Sequence, residues 1–364
     1  MTSERPAILF HVPYPLNPNA TSGSGIRPYR MRLAFEQLGY QVWEISGQAR
    51  ARAAAMRRVR KAVRDGVRFA FAYSESSTLP NMFAGPTRVP HPLLEARFFA
   101  FCRRHRIPLG VFYRDVYWRQ ARVSASAAGL RTLVFRLGYL LDLVVYRALV
   151  DRIYLPSMDM ADRVPLLRKQ SCVALPPGSD VVDSAVPDDP ATLFYVGGLG
   201  EYYRLQACVG GVGAVPEAGL VICTRPEQWQ RCRGEYEPLP AGVSVVHAEG
   251  SGLERYFDRA AIGVLFMEPI PYRQFASPLK LYEYLAHGKP VIATEGSLSA
   301  RVVEGTGTGW VLPYEPEALR QLLIRLREDP SEYEAARRRV LQVRLEHTWQ
   351  ARAGQAADDL GASR

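Results

Sequence analysis

Lysine is nearly absent from this basic chain: of 46 basic residues only Lys61, Lys169, Lys280 and Lys289 are lysines. Arginine and lysine are not interchangeable at a shaped site, so a lysine kept against that bias hints at a specific role. Two of the four fall in one stretch, SPLKLYEYLAHGKPVIAT at 277–294. Cysteine is sparse as well. Cys102, Cys172, Cys208, Cys223 and Cys232 form no CxxC pair and are odd in number, which argues against a disulfide framework and for a reducing compartment. No apolar run reaches the ~20 residues of a spanning helix; the nearest, LGYLLDLVVYRALV at 137–150, is broken by Asp142 and Arg147. The opening MTSERPAILFHVPYP has too short an apolar core for a signal peptide, so a cytoplasmic protein is expected. There is no Asp-x-Asp, no His/Cys cluster at ligand spacing and no serine nucleophile elbow, so neither a metal nor another resident cofactor is expected.

What is present is a chain of 364 residues, too long for one ordinary core and suited to two soluble domains. Its charge is lopsided: residues 1–180 hold 27 Lys+Arg against 12 Asp+Glu, leaving +15, and residues 181–364 hold 19 against 24, leaving −5. The first half is therefore expected to face something anionic: nucleic acid, a phosphate-bearing substrate or membrane headgroups. No nucleic-acid module accompanies the charge, so nucleic acid is not an expected partner.

Short β-branched or aromatic runs alternate with amphipathic stretches throughout, the pattern of α/β layering on parallel sheets. Strands are expected at 7–12, 41–46, 67–74, 108–113, 152–155 and 172–175, with helices at about 26–39, 49–65, 91–106, 127–150 and 157–169. PPGSDVVDSAVPDDPA at 176–191, with four prolines and no pattern, reads as a linker. A second series follows at 192–198, 219–224, 243–248, 262–267, 290–294 and 309–313. The expected division is 1–178, 190–330, and a last helical segment 331–364 that packs back on the first domain.

Within 277–294, Ser277 suits an N-cap and Pro278 the first helical position, while Gly288 and Pro290 end the helix. Lys280, Glu283, Tyr284 and His287 form one stripe, and Leu279, Tyr282, Leu285 and Ala286 another. The helix follows a buried strand, so its N-terminus lies where open α/β sheets bind ligands and where the helix dipole favours anions. A lysine there can meet a phosphate, and a carboxylate one turn on can accept two hydrogen bonds from a ribose diol. By spacing alone the first reading of the two is an ordinary i, i+3 surface pair.

SPLKLYEYLAHGKPVIAT, followed by VVEGTGTGWVLPYEPEALRQLL, resembles the donor-binding half of GT-B glycosyltransferases, family 4 in particular. The resemblance is good over about 192–330 and looser before it. It implies two Rossmann-like doubly wound α/β domains facing across a cleft, with a nucleotide-diphosphate sugar held mainly by the second. Glu283 would hold the donor ribose, with Lys280, Ser277, Pro278 and Leu279 at the helix head. Gly197 and Gly198 of YVGGLGEYYR would approach the diphosphate, Arg204 would neutralise it, and Arg225 and His247 would contact the base. One departure stands out: the family often carries an acid eight residues before this glutamate, and here that position is Phe275.

In the first domain the resemblance implies a loop at Gly23, Ser24 and Gly25, assisted by Arg27, that reaches the donor across the cleft. Asp115, at a strand end, is the best general-base candidate, with Glu75 and Arg114 as acceptor-side candidates; the other reading of Asp115 is a carboxylate paired with Arg114 or capping a loop. Family 4 members usually retain the anomeric configuration, whereas an Asp115 base would suit inversion. The basic 50–68 stretch, RFFAFCRRHR and the apolar helix near 137 together suit an anionic bilayer and a lipid-linked acceptor. The expected activity is sugar transfer to an acceptor hydroxyl in polysaccharide or glycolipid assembly, metal-independent and peripheral to the membrane. The alternatives are a noncatalytic sugar-nucleotide or glycan-binding relative and a nucleotide-sugar 2-epimerase of the same fold.

Overall fold

The computed structural model of the chain describes residues 5–20, 22–85, 89–120 and 128–361. It divides into two compact units, Met1–Pro176 with Trp349–Arg364, and Pro177–Thr348. The segment that rejoins the first unit is the helix Trp349–Gly361, while the helix Pro330–Val343 stays with the second. The return is thus shorter than the 331–364 expected from sequence.

In the first unit the strands β1 (Ala7–His11), β2 (Gln41–Ile45), β3 (Phe69–Glu75), β4 (Leu109–Phe112), β5 (Arg152–Leu155) and β6 (Cys172–Ala174) form one parallel sheet in the order β2-β1-β3-β4-β5-β6. β1 and β4 are buried at every position, because helices cover both faces of a parallel sheet and near-continuous apolar runs result. Right-handed crossovers set the helix Gly23–Gln37 on one face, where it packs beside Trp349–Gly361. They set Ala49–Arg64, Leu94–Arg104 and Ala128–Leu149 side by side on the other. Gly110 in β4 is required by close packing, since a Cβ there would lie 2.6 Å from the Tyr154 ring and 3.2 Å from Leu360. The helix expected at 157–169 does not form. Pro165 forces Val164 into extended backbone, and two 3₁₀ turns, Met158–Arg163 and Lys169–Ser171, replace it.

In the second unit β7 (Thr192–Val196), β8 (Gly219–Cys223), β9 (Val243–Val246), β10 (Ile262–Leu265), β11 (Val291–Thr294) and β12 (Gly309–Leu312) form a parallel sheet in the order β12-β11-β10-β7-β8-β9. The stretch read as a linker is tied to this unit: Asp189 accepts two hydrogen bonds from Arg327, at 3.0 and 2.6 Å, and Val182 N–H donates to the Ala286 carbonyl. All five cysteines are free and buried. No helix among the described residues is long and apolar enough to cross a membrane.

Candidate functional site

Strand order reverses between β7 and β10 in the second unit and between β1 and β3 in the first. The carboxyl ends flanking such a reversal are where doubly wound sheets bind ligands, and each unit places its chemistry there.

In the second unit the helix Leu279–Ala286 connects β10 to β11 and is anchored by Tyr284. The Tyr284 ring lies where a Cβ on Gly263 would be only 2.2 Å away, and its hydroxyl accepts from Val196 N–H at 3.1 Å. Tyr284 and His287 therefore leave the polar stripe expected from sequence. Tyr284 is core, and the His287 ring stacks on Phe257 at 3.6 Å with Nδ1 2.7 Å from Ser184. Lys280 and Glu283 remain half-buried, outside that core. The helix begins one residue later than expected: Pro278 is the N-cap, and Ser277 instead hydrogen-bonds the Tyr282 hydroxyl at 3.0 Å. At the other end Gly288 adopts φ +70° and stops the helix.

The Lys280 ammonium donates to the Tyr195 hydroxyl at 2.8 Å and lies 4.2 and 4.7 Å from the centres of the Tyr195 and Tyr203 rings. Gly197 makes this possible. Its φ of +149° and missing side chain accommodate the lysine, whose Nζ would be 2.2 Å from any Cβ. Gly198 lies against Tyr203 in the same turn. Burial, reinforced by the nearby charge of Arg273 and partly offset by Glu283, brings the Lys280 ammonium down to a pKa of about 7. Burial likewise raises the Glu283 carboxyl, and Lys280 pulls it partly back. Glu283 is half-buried, and among the described residues its carboxylate makes no hydrogen bond or ion pair.

Arg204 is exposed and ion-paired with Glu268 at 3.6 Å. Arg273, which the sequence reading missed, is the cation beside Lys280. It is half-buried, donates to the carbonyls of Glu268 and Tyr202, and sits 5.7 Å from the Tyr203 ring. It comes from the loop after β10, where no motif marks it. Arg225 is exposed at the N-cap of the helix Pro226–Cys232 after β8. His247, after β9, donates Nδ1–H to the Thr224 carbonyl at 2.7 Å, which turns Nε2 outward as an acceptor. Phe275 is buried and packs edge to face on Tyr272 at 5.2 Å, so the usual position of the first acid is part of the packing.

In the first unit three residue groups stand otherwise than expected. Gly23, Ser24 and Gly25 are the first turn of the helix Gly23–Gln37, not a loop; a Cβ on Gly25 would meet Ala20 at 2.6 Å. Arg27 is not free for a ligand: it is buried over the Phe112 ring at 3.5 Å and donates to Glu75 Oε1, the Pro176 carbonyl and the Tyr73 hydroxyl at 3.1, 3.1 and 3.3 Å. Glu75 is wholly buried between Arg27 and Arg114, whose guanidinium lies 3.6 Å from the second carboxylate oxygen, so it orders cations rather than meeting an acceptor. Arg114 is half-buried and also donates to the Ser24 carbonyl at 3.0 Å and to the Tyr14 hydroxyl. Asp115 is half-buried beyond the end of β4.

Around this crevice lie groups that no motif announced. His11, the last residue of β1, bonds Ser74 through Nδ1 at 2.8 Å and is kept neutral, with a pKa of about 3, by burial and by Arg52. Arg52 is itself buried and donates to Glu95 at 3.0 Å and to the Pro13 carbonyl at 2.8 Å. His11 is the polar end of the apolar strand β1, whereas Arg52 stands within a helix, where nothing local marks it.

Residues 190–329 match the family model for glycosyl transferases group 1. No curated protein matches the chain in sequence. Among solved structures, sucrose-phosphate synthase from Thermosynechococcus elongatus is similar with a TM-score of 0.64 at 17% identity, over 99% of this chain and 100% of that one. HepE from Anabaena in complex with UDP gives 0.66 at 10% identity over 98% and 99%, and its UDP-glucose complex 0.64 at 9% over 98% and 100%. A glycosyltransferase from Rickettsia africae gives 0.57 at 13% over 98% of each chain. At these identities the likeness carries the fold, which is GT-B.

Proposed function

We propose, from the match of residues 190–329 to the family model for glycosyl transferases group 1, that the protein transfers a sugar from a nucleoside diphosphate sugar to an acceptor hydroxyl, in the manner of family 4. The observation that carries this reading is Glu283: a half-buried carboxylate, without a hydrogen-bond partner among the described residues, one helical turn from Lys280 at the end of β10. Such a carboxylate suits a ribose diol. The Lys280 ammonium, seated over Gly197 and flanked by Arg273, suits the diphosphate. Nε2 of His247 and the Arg225 side chain are available to the base. Stabilisation of the departing diphosphate then falls to protein cations and the helix N-terminus rather than to a resident metal. We assign Asp115 the acceptor-side base role, which suits inversion and departs from the retention usual in family 4. The acceptor is a glycan or lipid-linked hydroxyl of cell-surface assembly, in keeping with the +15 first half.

The test is thermal unfolding with UDP, GDP, ADP, TDP and CDP. A ligand at a hundred times its Kd adds about 2.7 kcal/mol, a shift of several degrees in units of this size. UDP is the first choice, because HepE binds it. Failure of all five nucleotides would sink the reading. Buried Phe275 favours one second reading, donor binding without transfer. A nucleotide-induced shift with no release of nucleotide from any donor sugar, acceptors supplied, would decide for it.

Two further results are expected. Lys280 is half-neutral near pH 7 in the free protein, and a bound diphosphate favours its charged form, so binding takes up a proton above that pH. UDP affinity should fall by up to about tenfold between pH 7 and 8, with proton uptake visible by calorimetry in buffers of different ionisation enthalpy. Lys280→Arg should abolish the dependence; a flat wild-type profile would contradict the assignment. Arg273→Ala should weaken UDP binding by about tenfold, as loss of one charge-assisted hydrogen bond does, while Arg204→Ala changes it little. The reverse order would return the diphosphate role to Arg204.

A further inference from the structure

The helix Ala128–Leu149 buries one side and leaves the other bare. Phe135 meets Phe83 edge to face at 5.2 Å, Gly138 lies under Pro80, where a Cβ would come within 2.8 Å, and the Phe99 ring is 6.0 Å from that of Tyr146. On the opposite side Leu133, Val134, Leu137, Leu141 and Val144 are between 41% and 57% exposed. At about 100° per residue these five fall within one arc of roughly 100°, along about 17 Å of helix. A contiguous apolar stripe of this kind on a water-facing helix marks a surface that something covers.

The neighbouring helices identify what covers it. Leu94–Arg104 packs against this helix and Ala49–Arg64 against Leu94–Arg104, with the Arg60 guanidinium 5.9 Å from the Phe101 ring. Their outward positions are cationic: Arg57, Lys61 and Arg64 on one helix, and Arg97, Arg103 and Arg104 on the other, are all exposed. The only acid within the two helices, Glu95, is buried against Arg52. Phe98 and Phe99 of RFFAFCRRHR are core residues, so the contiguous apolar stripe is that of the 128–149 helix. The stripe has no polar group to give a protein partner register, and the charge beside it has one sign across two helices.

We propose that this helical layer docks on an anionic lipid bilayer, the apolar stripe entering the acyl boundary while the two basic helices meet the headgroups. The docking does not rest on the donor-site reading. Nucleotide binding can fail while vesicle binding stands, and the reverse.

The experiment is co-sedimentation of the full chain with phosphatidylcholine vesicles and with phosphatidylglycerol-rich vesicles, at low and high salt. The expected result is binding to the anionic vesicles, weakened by salt. Leu137→Glu/Leu141→Glu should lower it by at least about tenfold, since both residues lie in the stripe that inserts, with Tm unchanged because both are exposed. Arg57→Glu/Arg64→Glu should weaken it by about fivefold or more for each charge removed and flatten the salt dependence. Absence of binding to anionic vesicles would overturn the proposal, as would equal binding by the leucine variant. So would a wild-type dimer in solution that the leucine variant dissolves, because a second copy would then be the covering partner.

Discussion

Replacing Arg27 by methionine is expected to destabilise the first unit by about 3–5 kcal/mol, the cost of stranding one partner of a buried ion pair. The guanidinium stacks on Phe112 and supplies Glu75 with its direct 3.1 Å ion pair; Glu75 is wholly buried, and its remaining cation, Arg114, stands 3.6 Å from the other oxygen. Methionine fills much of the volume but carries no charge, so the carboxylate must stay ionised in a poor dielectric or take up a proton. At roughly 2–4 °C per kcal/mol for units of this size, the unfolding transition of that unit should fall on the order of 10 °C. Arg27→Met/Glu75→Gln should regain part of the loss, because the orphaned charge goes with the glutamate. Nucleotide-induced stabilisation of the second unit should be unaffected. A loss below about 1 kcal/mol, the range of exposed pairs, would show that the pair is solvated and that Arg27 is available to a ligand after all.

Glu283→Ala is expected to weaken nucleotide binding by about 10- to 100-fold, from hydrogen bonds to a charged acceptor worth ~1.5–3 kcal/mol. The same change should leave the free protein as stable or slightly more so. Burial raises the Glu283 carboxyl above its ordinary range, so the folded state holds its charge at a cost at neutral pH. That cost ends when the carboxylate is removed, and is recovered in the native protein only when a ligand donates to it. Calorimetric titration with the nucleotide that shifts Tm, alongside apo-protein denaturation, separates the two effects. Unchanged affinity in a folded variant would take Glu283 out of the site. Lost affinity accompanied by lost apo stability would mean that the residue holds the fold rather than the ligand.

All twelve strands were legible in the sequence, the inner ones as apolar runs buried on both faces and the partly exposed edge strand β2 as a β-branched and aromatic run ending near glycine. The segment SPLKLYEYLAHGKPVIAT was legible too, since a helix head and a glycine stop are local matters of backbone and dipole. The resemblance carried by the same stretch pointed to the glycosyltransferase domain, and composition showed that the first half is basic. Tertiary packing decided the rest. Periodicity put Lys280, Glu283, Tyr284 and His287 on one stripe, but the open space over Gly263 takes Tyr284 into the core, and the Phe257 ring takes His287. Arg27 read as a ligand contact and is buried in an ion pair, while Arg273, beside Lys280, carried no signal in the sequence. Which arginine meets a ligand depends on where the carboxylates and carbonyls of distant strands lie, and Glu75 comes from a strand some fifty residues away from Arg27 in the chain. The apolar helix near 137 was visible as apolar, yet whether its stripe faced core or water depended on how Gly138 and Tyr146 seat it. The sequence by itself determined which segments become strands and where the helix head at 277–280 gathers backbone N–H groups, because those follow from neighbours along the chain. Only the tertiary structure decided which charged side chains are neutralised by the protein and which are left for a ligand or a surface, because burial and pairing are properties of contacts between segments far apart in sequence.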